Sequence, residues 1–441
     1  MTADATAFVL GGSGGLRRRD RGAVASWGGI AVVVALVVPP LKGLYRFTGG
    51  TMEEGFMLYF PQRMRTGDVP NVDFLHLYGP GALDVLMGWY ALFGDTIIAE
   101  RTFGLIQHLG IIFALYALAR AWGRVAAFAV GALSLFYVLT PIGLTAMAWN
   151  GGLALLLWSG VFVVRGTCLD DARRARTAWA IGGVLAGLAL AYRPDLAIAV
   201  GLVLGWLVIG HAAARRPAMI GAVVGLLPMW VHVVIAGPGP SFRGMFLDPV
   251  FHLRDGRELP RPPSWSVLDG ALQAIAETQP PWWPLPAVPA SNALFLWFFA
   301  MLLGTAGLVA LAIVRRRQEA TGPTVTLLVV AFISLGILPQ ALQRPDSTHL
   351  TWVTCISWPF LVVGGAEAVR LARPRVSRGR ALAVGGSFAL VLTFALTSLF
   401  TFRYWLLHTR VGMGRVHPTF EIGRDGRRFY FGAPRAALAS Q

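Results

Sequence analysis

The sequence contains few charged residues for its length. Of its 441 residues, 14% are Asp, Glu, Lys or Arg, and 55% are hydrophobic. Soluble globular domains carry about 25% charged residues. This scarcity of charge excludes an ordinary soluble domain, and the composition predicts an integral membrane protein.

Lysine is almost absent, because Lys42 is the only one, so the net charge of +16 comes from arginine. In a soluble protein such a basic balance would indicate nucleic-acid binding. Here the arginines lie in short clusters between apolar runs, where they are expected to set the membrane topology. We therefore expect no nucleic-acid partner.

Cysteine is also scarce, with Cys168 in an arginine-flanked loop and Cys355 in an apolar run. Two cysteines without CxxC or Cys/His spacing predict neither a disulfide framework nor a structural zinc site. The chain also lacks a P-loop and a GxGxxG that follows a strand. We therefore expect no nucleotide-binding domain.

Long apolar runs make up most of what is present. A membrane-spanning helix needs about 20 predominantly apolar residues. Eleven candidate runs are found near 24–44, 102–119, 125–142, 145–164, 178–192, 195–212, 218–236, 292–314, 323–341, 351–370 and 381–402. The predicted fold class is therefore all-α, a polytopic helical membrane protein with about 11 membrane-spanning helices.

A shorter apolar run, from Gly81 to Gly94, contains Asp84 and suits a helix at the membrane surface better than a span. With that assignment all the arginine clusters fall on one side of the membrane, whereas an extra span would divide them between both sides. The arginine-rich side is cytoplasmic by the positive-inside rule. We therefore expect a protein of the bacterial plasma membrane with a cytoplasmic N-terminus and an extracytoplasmic C-terminus.

This topology divides the chain into three segments. Residues 1–23 form a basic cytoplasmic segment, 24–402 the transmembrane domain and 403–441 an extracytoplasmic tail. Two long outer loops, at about 45–101 and about 237–291, belong to the transmembrane domain. We expect the chemistry on the outer side, because the cytoplasmic loops are short and basic.

The first outer loop concentrates polar residues that suit chemistry. Glu53 and Glu54 follow the first span, Asp73 comes later, and His76 stands near Tyr78. Carboxylates at the membrane surface can deprotonate a hydroxyl group or hold a divalent cation. The alternative is that these acids only solvate a loop, although the surrounding aromatic residues favour a loop folded against the membrane.

The order of these pieces resembles the first periplasmic loop of the GT-C glycosyltransferases. The double acid is followed by GDVPNVDF at 67–74, by YGPG at 78–81 and by an amphipathic stretch that leads to Arg101. The arrangement is most similar to the protein-mannosyltransferase and lipid A aminoarabinose-transferase branch. The resemblance covers 50–101 well, and the remainder only in span number and topology.

The resemblance implies roles for several residues and two juxtamembrane helices in this loop. The family's Asp-Glu pair falls on Glu53 and Glu54, with Glu where the first acid is commonly Asp, so which of the two is the key acid stays open. Asp73 falls on the second acid of the loop, and Arg101 on the arginine that opens the second span. A divalent cation such as Mg²⁺ or Mn²⁺ at Glu53 and Glu54 is one expectation.

Arginines on the outer side suit a phosphate group, because guanidinium binds phosphate bidentately. Arg193 lies where two spans meet, Arg344 lies between the ninth and tenth spans, and Arg63 lies in the first loop. His349 is a further candidate for phosphate, metal or proton transfer. Each of these residues has a plainer alternative as an interfacial anchor, a partner of a neighbouring Asp or a polar cap.

The remaining candidates are His76, Tyr78, Asn150 and Asp346, which we expect to line the cavity or contact the acceptor. With these residues, the resemblance implies transfer of a sugar, with inversion, from a polyprenyl-phosphate donor to a glycan, lipid or protein acceptor among membrane lipids. The alternatives are a transporter or lipid flippase, and a non-catalytic scaffold or acyltransferase of the envelope. A coupled transporter would need ionisable residues on several spans, and the sequence has few.

Overall fold

The computed structural model describes residues 16–46, 51–139, 143–256, 258–262, 289–318, 321–415, 420–424 and 427–431. Most of these residues are helical, which confirms the predicted all-α membrane fold. Residues 1–15 of the basic segment and 263–288 of the second predicted outer loop lie outside the described residues.

The helices, in chain order, are α1 (Leu16–Arg46), α2 (Thr51–Arg65), α3 (Gly81–Phe93), α4 (Ile97–Ala119), α5 (Arg124–Val138), α6 (Ala148–Cys168), α7 (Ala172–Tyr192), α8 (Ala197–Gly210), α9 (Ala212–Gly225), α10 (Leu227–Ala236), α11 (Pro238–Phe242), α12 (Ala290–Gln318), α13 (Gly322–Gly336), α14 (Leu338–Gln343), α15 (Ser347–Ala372), α16 (Arg378–Leu392) and α17 (Phe402–Gly412). Short 3₁₀ turns occur at Arg120–Trp122 and Pro194–Leu196, and π-helical segments at Arg243–His252 and Thr393–Thr397. An antiparallel hairpin of β1 (Phe420–Arg424) and β2 (Arg427–Phe431) follows.

Each of the eleven predicted apolar runs coincides with a helix. Among the described residues, eight helices are long and apolar enough to cross a membrane, and the bent pair of α9 and α10 raises the number to nine. The other two runs correspond to α5 and to the apolar segment Pro194–Gly210, which are shorter. A helix as long as α5, with 15 residues, measures about 22 Å, less than the roughly 30 Å of a bilayer core.

The first outer loop is folded into two helices, as predicted. α2 and α3 lie between the first two spans and pack together on the start of α4 through a small apolar cluster. This cluster consists of Met57, Phe74, Leu83, Leu86, Tyr90, Ala99 and Ala146. Two hydrogen bonds fasten the packing, from the Tyr90 hydroxyl to the Met57 carbonyl oxygen at 3.2 Å and from Trp89 Nε1 to the Ala99 carbonyl oxygen at 2.9 Å.

The predicted C-terminal tail contains a helix that the sequence reading missed. α17 packs along α1, where Trp405 Nε1 donates to the Leu36 carbonyl oxygen at 2.9 Å. The backbones approach so closely that a Cβ at Gly43 would lie 2.3 Å from the His408 carbonyl oxygen. The first and last helices of the described chain are therefore packed together.

The two ends of the helical bundle differ in their polar residues. At one end, which we call the loop end, Arg101 donates to the Tyr45 carbonyl oxygen and joins the end of α1 to the start of α4. At the other, which we call the arginine-rich end, Trp122 donates to Glu367 and joins the turn after α4 to α15. α2 and α3 lie at the loop end. Which end faces the cytoplasm stays a prediction of the arginine distribution.

Helices α7 and α9 pack closely through glycine. Gly183 and Gly187 on α7 meet the backbone of α9, and Gly221 and Gly225 on α9 meet the backbone of α7. A Cβ at Gly221 would lie 2.2 Å from the Ala180 carbonyl oxygen. Glycine is required here because the backbones approach too closely for a side chain, as is typical of small-residue packing between membrane helices.

The substitution Gly221→Ala should therefore destabilise the bundle by about 1–3 kcal/mol through overpacking. A thermal unfolding measurement on the purified protein in detergent should show a lower midpoint. Gly201→Ala on α8 is the matched control, because no atom lies within 4 Å of a Cβ at that position. Equal midpoints for the two variants would contradict the close packing of α7 and α9.

Candidate functional site

Of the two adjacent acids, Glu54 is held in a buried ion pair. Arg101 donates from Nε to Glu54 Oε1 at 2.6 Å and from Nη2 to Oε2 at 2.9 Å. The side chains of Arg101 and Glu54 are 2% and 8% exposed. Both carboxylate oxygens of Glu54 are therefore occupied, and the pair connects α2 to α4. The third arginine contact, to the Tyr45 carbonyl oxygen at 2.7 Å, adds α1.

Glu53 has a different environment. Its side chain is half-buried in the first turn of α2. No hydrogen bond or ion pair involves this carboxylate within the part of the chain that the structure describes. A general base or a metal ligand needs oxygen lone pairs that no other group occupies. Of the two acids, Glu53 meets that requirement.

Asp73 and Arg63, also predicted for the site, shape the first outer loop. Asp73 is exposed, and its Oδ2 accepts a hydrogen bond from the Val69 backbone N–H at 2.7 Å. Arg63 donates from Nε to Asp68 at 2.5 Å, and its guanidinium carbon lies 5.0 Å from the Phe74 ring centroid. In this structure both residues hold the turn between α2 and α3.

Arg193 lies at the centre of a polar cluster at the loop end, between α7 and α8. Its side chain is 5% exposed and forms a bidentate pair with Asp195, with Nε 2.9 Å from Oδ1. It also donates to Gln340 Oε1 of α14 at 3.3 Å, and Gln340 in turn donates to Asp195. The guanidinium lies 4.4 Å from the Tyr78 ring centroid and 5.2 Å from that of Trp149. Nε and Nη2 of Arg193 are thus engaged by Asp195 and Gln340.

A second cluster lies directly after α14. Asp346 caps α15 by accepting from the His349 backbone N–H at 2.9 Å, and its carboxylate also contacts His349 Nδ1 at 2.9 and 3.0 Å. Burial alone would raise the pKa of Asp346, but the His349 charge and hydrogen bonds, together with Arg344, outweigh it and hold this pKa below its usual range. Asp346 is therefore a carboxylate that fixes the orientation of His349.

In this cluster, Arg344 has guanidinium N–H groups that no described residue accepts. Its nearest carboxylate oxygen, on Asp346, lies 3.6 Å from Nε, beyond hydrogen-bond distance. Nε is shielded from solvent and has no acceptor among the described residues, while 38% of the side chain is exposed. A half-exposed guanidinium with unused donors is suited to an anionic ligand.

The two clusters are joined by aromatic rings and by α14. Trp149 stacks on Trp352 with ring centroids 5.3 Å apart, and Trp352 meets the His349 ring at 4.8 Å. Because Trp149 also contacts Arg193, a continuous path connects Arg193 to His349. Arg193, Arg344 and His349 thus lie at the same end of the bundle, and their common role in phosphate binding stays a prediction.

His76 and Tyr78 bring the first outer loop to this site. His76 is buried, and burial, with the nearby charges of His232 and Arg193, lowers its pKa to about 4 despite a hydrogen-bond contact to the Gly79 carbonyl oxygen. Its ring lies 5.6 Å from that of Tyr78 and 6.0 Å from that of Phe60 on α2. The helix that carries Glu53 thus reaches the Arg193 cluster through three rings.

Asn150, predicted to line the cavity, is 3% exposed. Its side-chain amide donates to the Thr145 carbonyl oxygen at 3.2 Å and lies 3.4 Å from His108 Nε2. In the structure it secures the segment before α6. His108 also contacts the Gly104 carbonyl oxygen through Nδ1, as expected for a packing residue.

The structure adds residues to the site that the sequence reading missed. Gln340 joins Arg193 to Asp195, and Trp149 and Trp352 form the aromatic bridge. Gln340 could have been found from the sequence, because it is a polar residue near the end of an apolar run and lies just before Arg344. The ring stacking had no sequence signal, since tryptophan is expected near membrane interfaces in any case.

No group of three or more His, Cys, Asp or Glu residues with metal-binding geometry occurs in the described ranges. Glu54 is engaged by Arg101, so Glu53 is the acid of the pair that retains free oxygens for a cation. A divalent cation held there would need further ligands from substrate oxygens or water, as is common for Mg²⁺.

The chain is similar to two crystal structures of ArnT from Cupriavidus metallidurans. The structure bound to undecaprenyl phosphate matches with a TM-score of 0.49 and 16% identity, over 88% of this chain and 75% of that one. The apo structure matches with a TM-score of 0.43 and 15% identity, over 89% and 78%. No family model and no curated protein matches the sequence. At these values the likeness assigns no residue roles.

Removing the partner of Glu54 should strongly destabilise the protein. Arg101→Gln leaves a buried carboxylate without its cation, a change that typically costs about 3–5 kcal/mol. Arg65→Gln removes an exposed pair with Asp95, which is worth about 0–1 kcal/mol. Thermal unfolding of the purified variants should show a large drop in midpoint for the first and little change for the second. A small effect of Arg101→Gln would show that the pair is not structural.

Proposed function

We propose that the protein is a membrane glycosyltransferase that takes a sugar from a polyprenyl-phosphate donor at the loop end, on the extracytoplasmic side. The observation that carries the proposal is the convergence of Arg193, Arg344 and His349 at the end of the bundle that also holds the acidic loop. A phosphate group on a lipid reaches this level of the membrane, and the site offers cationic donors to meet it. On α2, at the same end of the bundle, Glu53 offers a carboxylate with free oxygens.

Arg344 is the proposed ligand of the donor phosphate. Its guanidinium has unused donors, whereas that of Arg193 is bound to Asp195, Gln340 and two aromatic rings. Arg193 therefore acts as a positioning residue that fixes α14 just before Arg344. The C-terminal end of α14 supplies the Gln340 carbonyl oxygen, which accepts from the Arg344 backbone N–H at 3.2 Å.

His349 is the second proposed phosphate ligand. Asp346 engages its Nδ1, which leaves Nε2 to face a ligand, since no described residue hydrogen-bonds to Nε2. A carboxylate on one ring nitrogen fixes the ring orientation. The Trp352 ring, whose centroid lies 4.8 Å from that of His349, limits rotation of the His349 ring.

Glu53 is the proposed general base. It removes the proton of the acceptor hydroxyl while the hydroxyl oxygen attacks the anomeric carbon of the donor sugar. The bond between the anomeric carbon and the phosphate oxygen breaks, the configuration inverts, and the polyprenyl phosphate leaves with the electron pair. Arg344 and His349 stabilise the charge that develops on the leaving phosphate. A divalent cation at Glu53 is the alternative role for the same carboxylate.

The transporter or flippase alternative is less well supported. Proton or ion coupling calls for ionisable groups at successive depths of the membrane. In the helices that the structure describes as candidate spans, each Asp, Glu, Lys and Arg lies within about five residues of a helix end, the level of the interface rather than of the bilayer centre. Glu100 and Glu367 are examples at opposite ends of the bundle.

Replacement of the proposed base should abolish sugar transfer without unfolding the protein. In a deletion strain that carries Glu53→Gln, we expect the lipid-linked sugar to accumulate and the envelope glycan to lose that sugar. Loss of a general base typically costs 10²- to 10⁴-fold in rate. Lipid-linked sugar and glycan analysis provides the measurement, and Asp95→Asn, at an exposed acid, is the matched control. Full complementation by Glu53→Gln at wild-type protein level would disprove this role.

Substitutions of Arg344 and Arg193 should differ in their effects on the transfer rate and on the thermal midpoint. Arg344→Gln should lower transfer by about 10²- to 10³-fold, as for removal of a donor to a developing charge, and leave the thermal midpoint near that of the wild type. Arg193→Gln should lower the midpoint as well, because Asp195 and Gln340 lose their partner. Both quantities are measurable on the purified protein once the donor lipid is identified. An unchanged rate for Arg344→Gln would remove it from the site.

A further inference from the structure

A pocket lies at the arginine-rich end, away from the proposed transfer site. It has a volume of about 380 Å³, and its polar lining consists of Trp122, Arg315, Thr321, Thr324, Glu367 and Arg370. Ligand pockets in proteins usually measure about 300–1,000 Å³. The pocket is therefore large enough for a small polar group, and its lining carries two positive charges and one negative charge.

The pocket is separate from the proposed transfer site. Asp346 caps the start of α15, and Glu367 lies near its end, 21 residues further along the chain. At 1.5 Å per residue this places the two about 30 Å apart, the thickness of a bilayer core. A molecule in the pocket would therefore contact the opposite leaflet from the proposed donor.

Glu367 is built into the wall of the pocket. It is 7% exposed, and Oε1 accepts a hydrogen bond from Trp122 Nε1 at 2.9 Å. Oε2 accepts from Arg315 Nη2. The carboxylate thus orients Arg315 and Trp122, and its charge is balanced by Arg315. Because the charges of Glu367 and Arg315 balance, the net positive charge of the pocket comes from Arg370.

The remaining arginine donors have few partners. Arg370 Nη1 lies 3.7 Å from Glu367, beyond hydrogen-bond distance, and the Arg370 side chain is 42% exposed. Arg315 Nε is shielded from solvent and has no acceptor among the described residues. The exposed N–H groups of Arg370 are therefore the arginine donors that an anion entering the pocket would meet.

Hydroxyl groups complete the donor set. The hydroxyls of Thr321 and Thr324 lie 3.1 Å apart, so one of the two hydrogens remains available for another acceptor. Thr321 is the N-cap residue of α13, and Thr324 lies in the first turn of that helix. The Thr321 hydroxyl makes no capping hydrogen bond. The first N–H groups of a helix carry partial positive charge, which also favours an anion.

We propose that this pocket binds the phosphate group of an anionic lipid headgroup in the leaflet at the arginine-rich end. Arginine and hydroxyl donors suit phosphate oxygens. Basic pockets between transmembrane helices on the cytoplasmic side are known to take anionic headgroups, and anionic lipids are enriched in that leaflet. Arg370 and Thr324 are the residues that contact the phosphate, and neither is hydrogen-bonded to Glu367.

The test is lipid binding to the purified full chain. Phosphatidylglycerol titrated in detergent and followed by native mass spectrometry should bind more tightly than phosphatidylcholine. Arg370→Gln should weaken phosphatidylglycerol binding about tenfold, which corresponds to loss of one charge-assisted hydrogen bond. Arg373→Gln, one turn further along the chain and exposed, makes the same change of charge outside the pocket and should bind as the wild type does.

Two further measurements keep the result decisive. Thr324→Val preserves the shape of the side chain and removes the hydroxyl, so it should weaken binding even if Arg370→Gln does not fold. Inorganic phosphate in place of the lipid separates the sources, since binding of phosphate alone with the same dependence on Arg370 would assign the pocket to a soluble phosphate. Equal effects of Arg370→Gln and Arg373→Gln, or no effect of Arg370→Gln and Thr324→Val, would overturn the proposal.

Discussion

A charge inside an apolar helical bundle must be paired, and the other properties of this protein follow from how that requirement is met. Desolvation of a charged group costs several kcal/mol unless a partner compensates it. Glu54 is compensated by Arg101, Arg193 by Asp195, and Glu367 by Arg315. Each pair connects elements that are distant in sequence or fixes a turn between two helices. The pairs thereby hold the ends of the bundle in register, where apolar packing alone would allow the helices to slide.

The same requirement distinguishes structural residues from available ones. Glu53 and Glu54 are adjacent and chemically identical, yet Arg101 occupies one and not the other. Arg193 and Arg344 flank Gln340 in the same way, with Arg193 engaged and Arg344 retaining donors. An engaged residue makes a rigid frame, and an available residue beside it is then held in place without losing its chemistry. This arrangement is what a transfer reaction needs, because preorganised charges stabilise a transition state without reorganisation.

The sequence alone predicted much of this architecture. Hydropathy identified all eleven helical runs, and the 13-residue length of α3 agrees with the prediction that Gly81–Gly94 is a surface helix. The sequence also singled out Arg193 and Arg344, because the other predicted outer turns are poor in arginine, and His349 beside Arg344; their roles stay predictions. What it could not decide was which member of each pair is engaged, since that depends on contacts such as Glu54 to Arg101, 47 residues apart. Helix α17 was missed because a charged amphipathic segment after the last apolar run looks like a solvated tail.

The division of roles between two ends of one helix has a physical origin. α15 is the most deeply buried of the candidate spans, and between His349 and Glu367 it carries no Asp, Glu, Lys, Arg or His. Its charged groups are therefore confined to its two ends, where Asp346 and His349 lie at one and Glu367 and Arg370 at the other. An anion bound at one end of α15 would contact one leaflet, and an anion bound at the other end would contact the opposite leaflet. The proposed transfer site and the proposed lipid pocket would thus lie at opposite ends of one helix, with no charged side chain of α15 between His349 and Glu367.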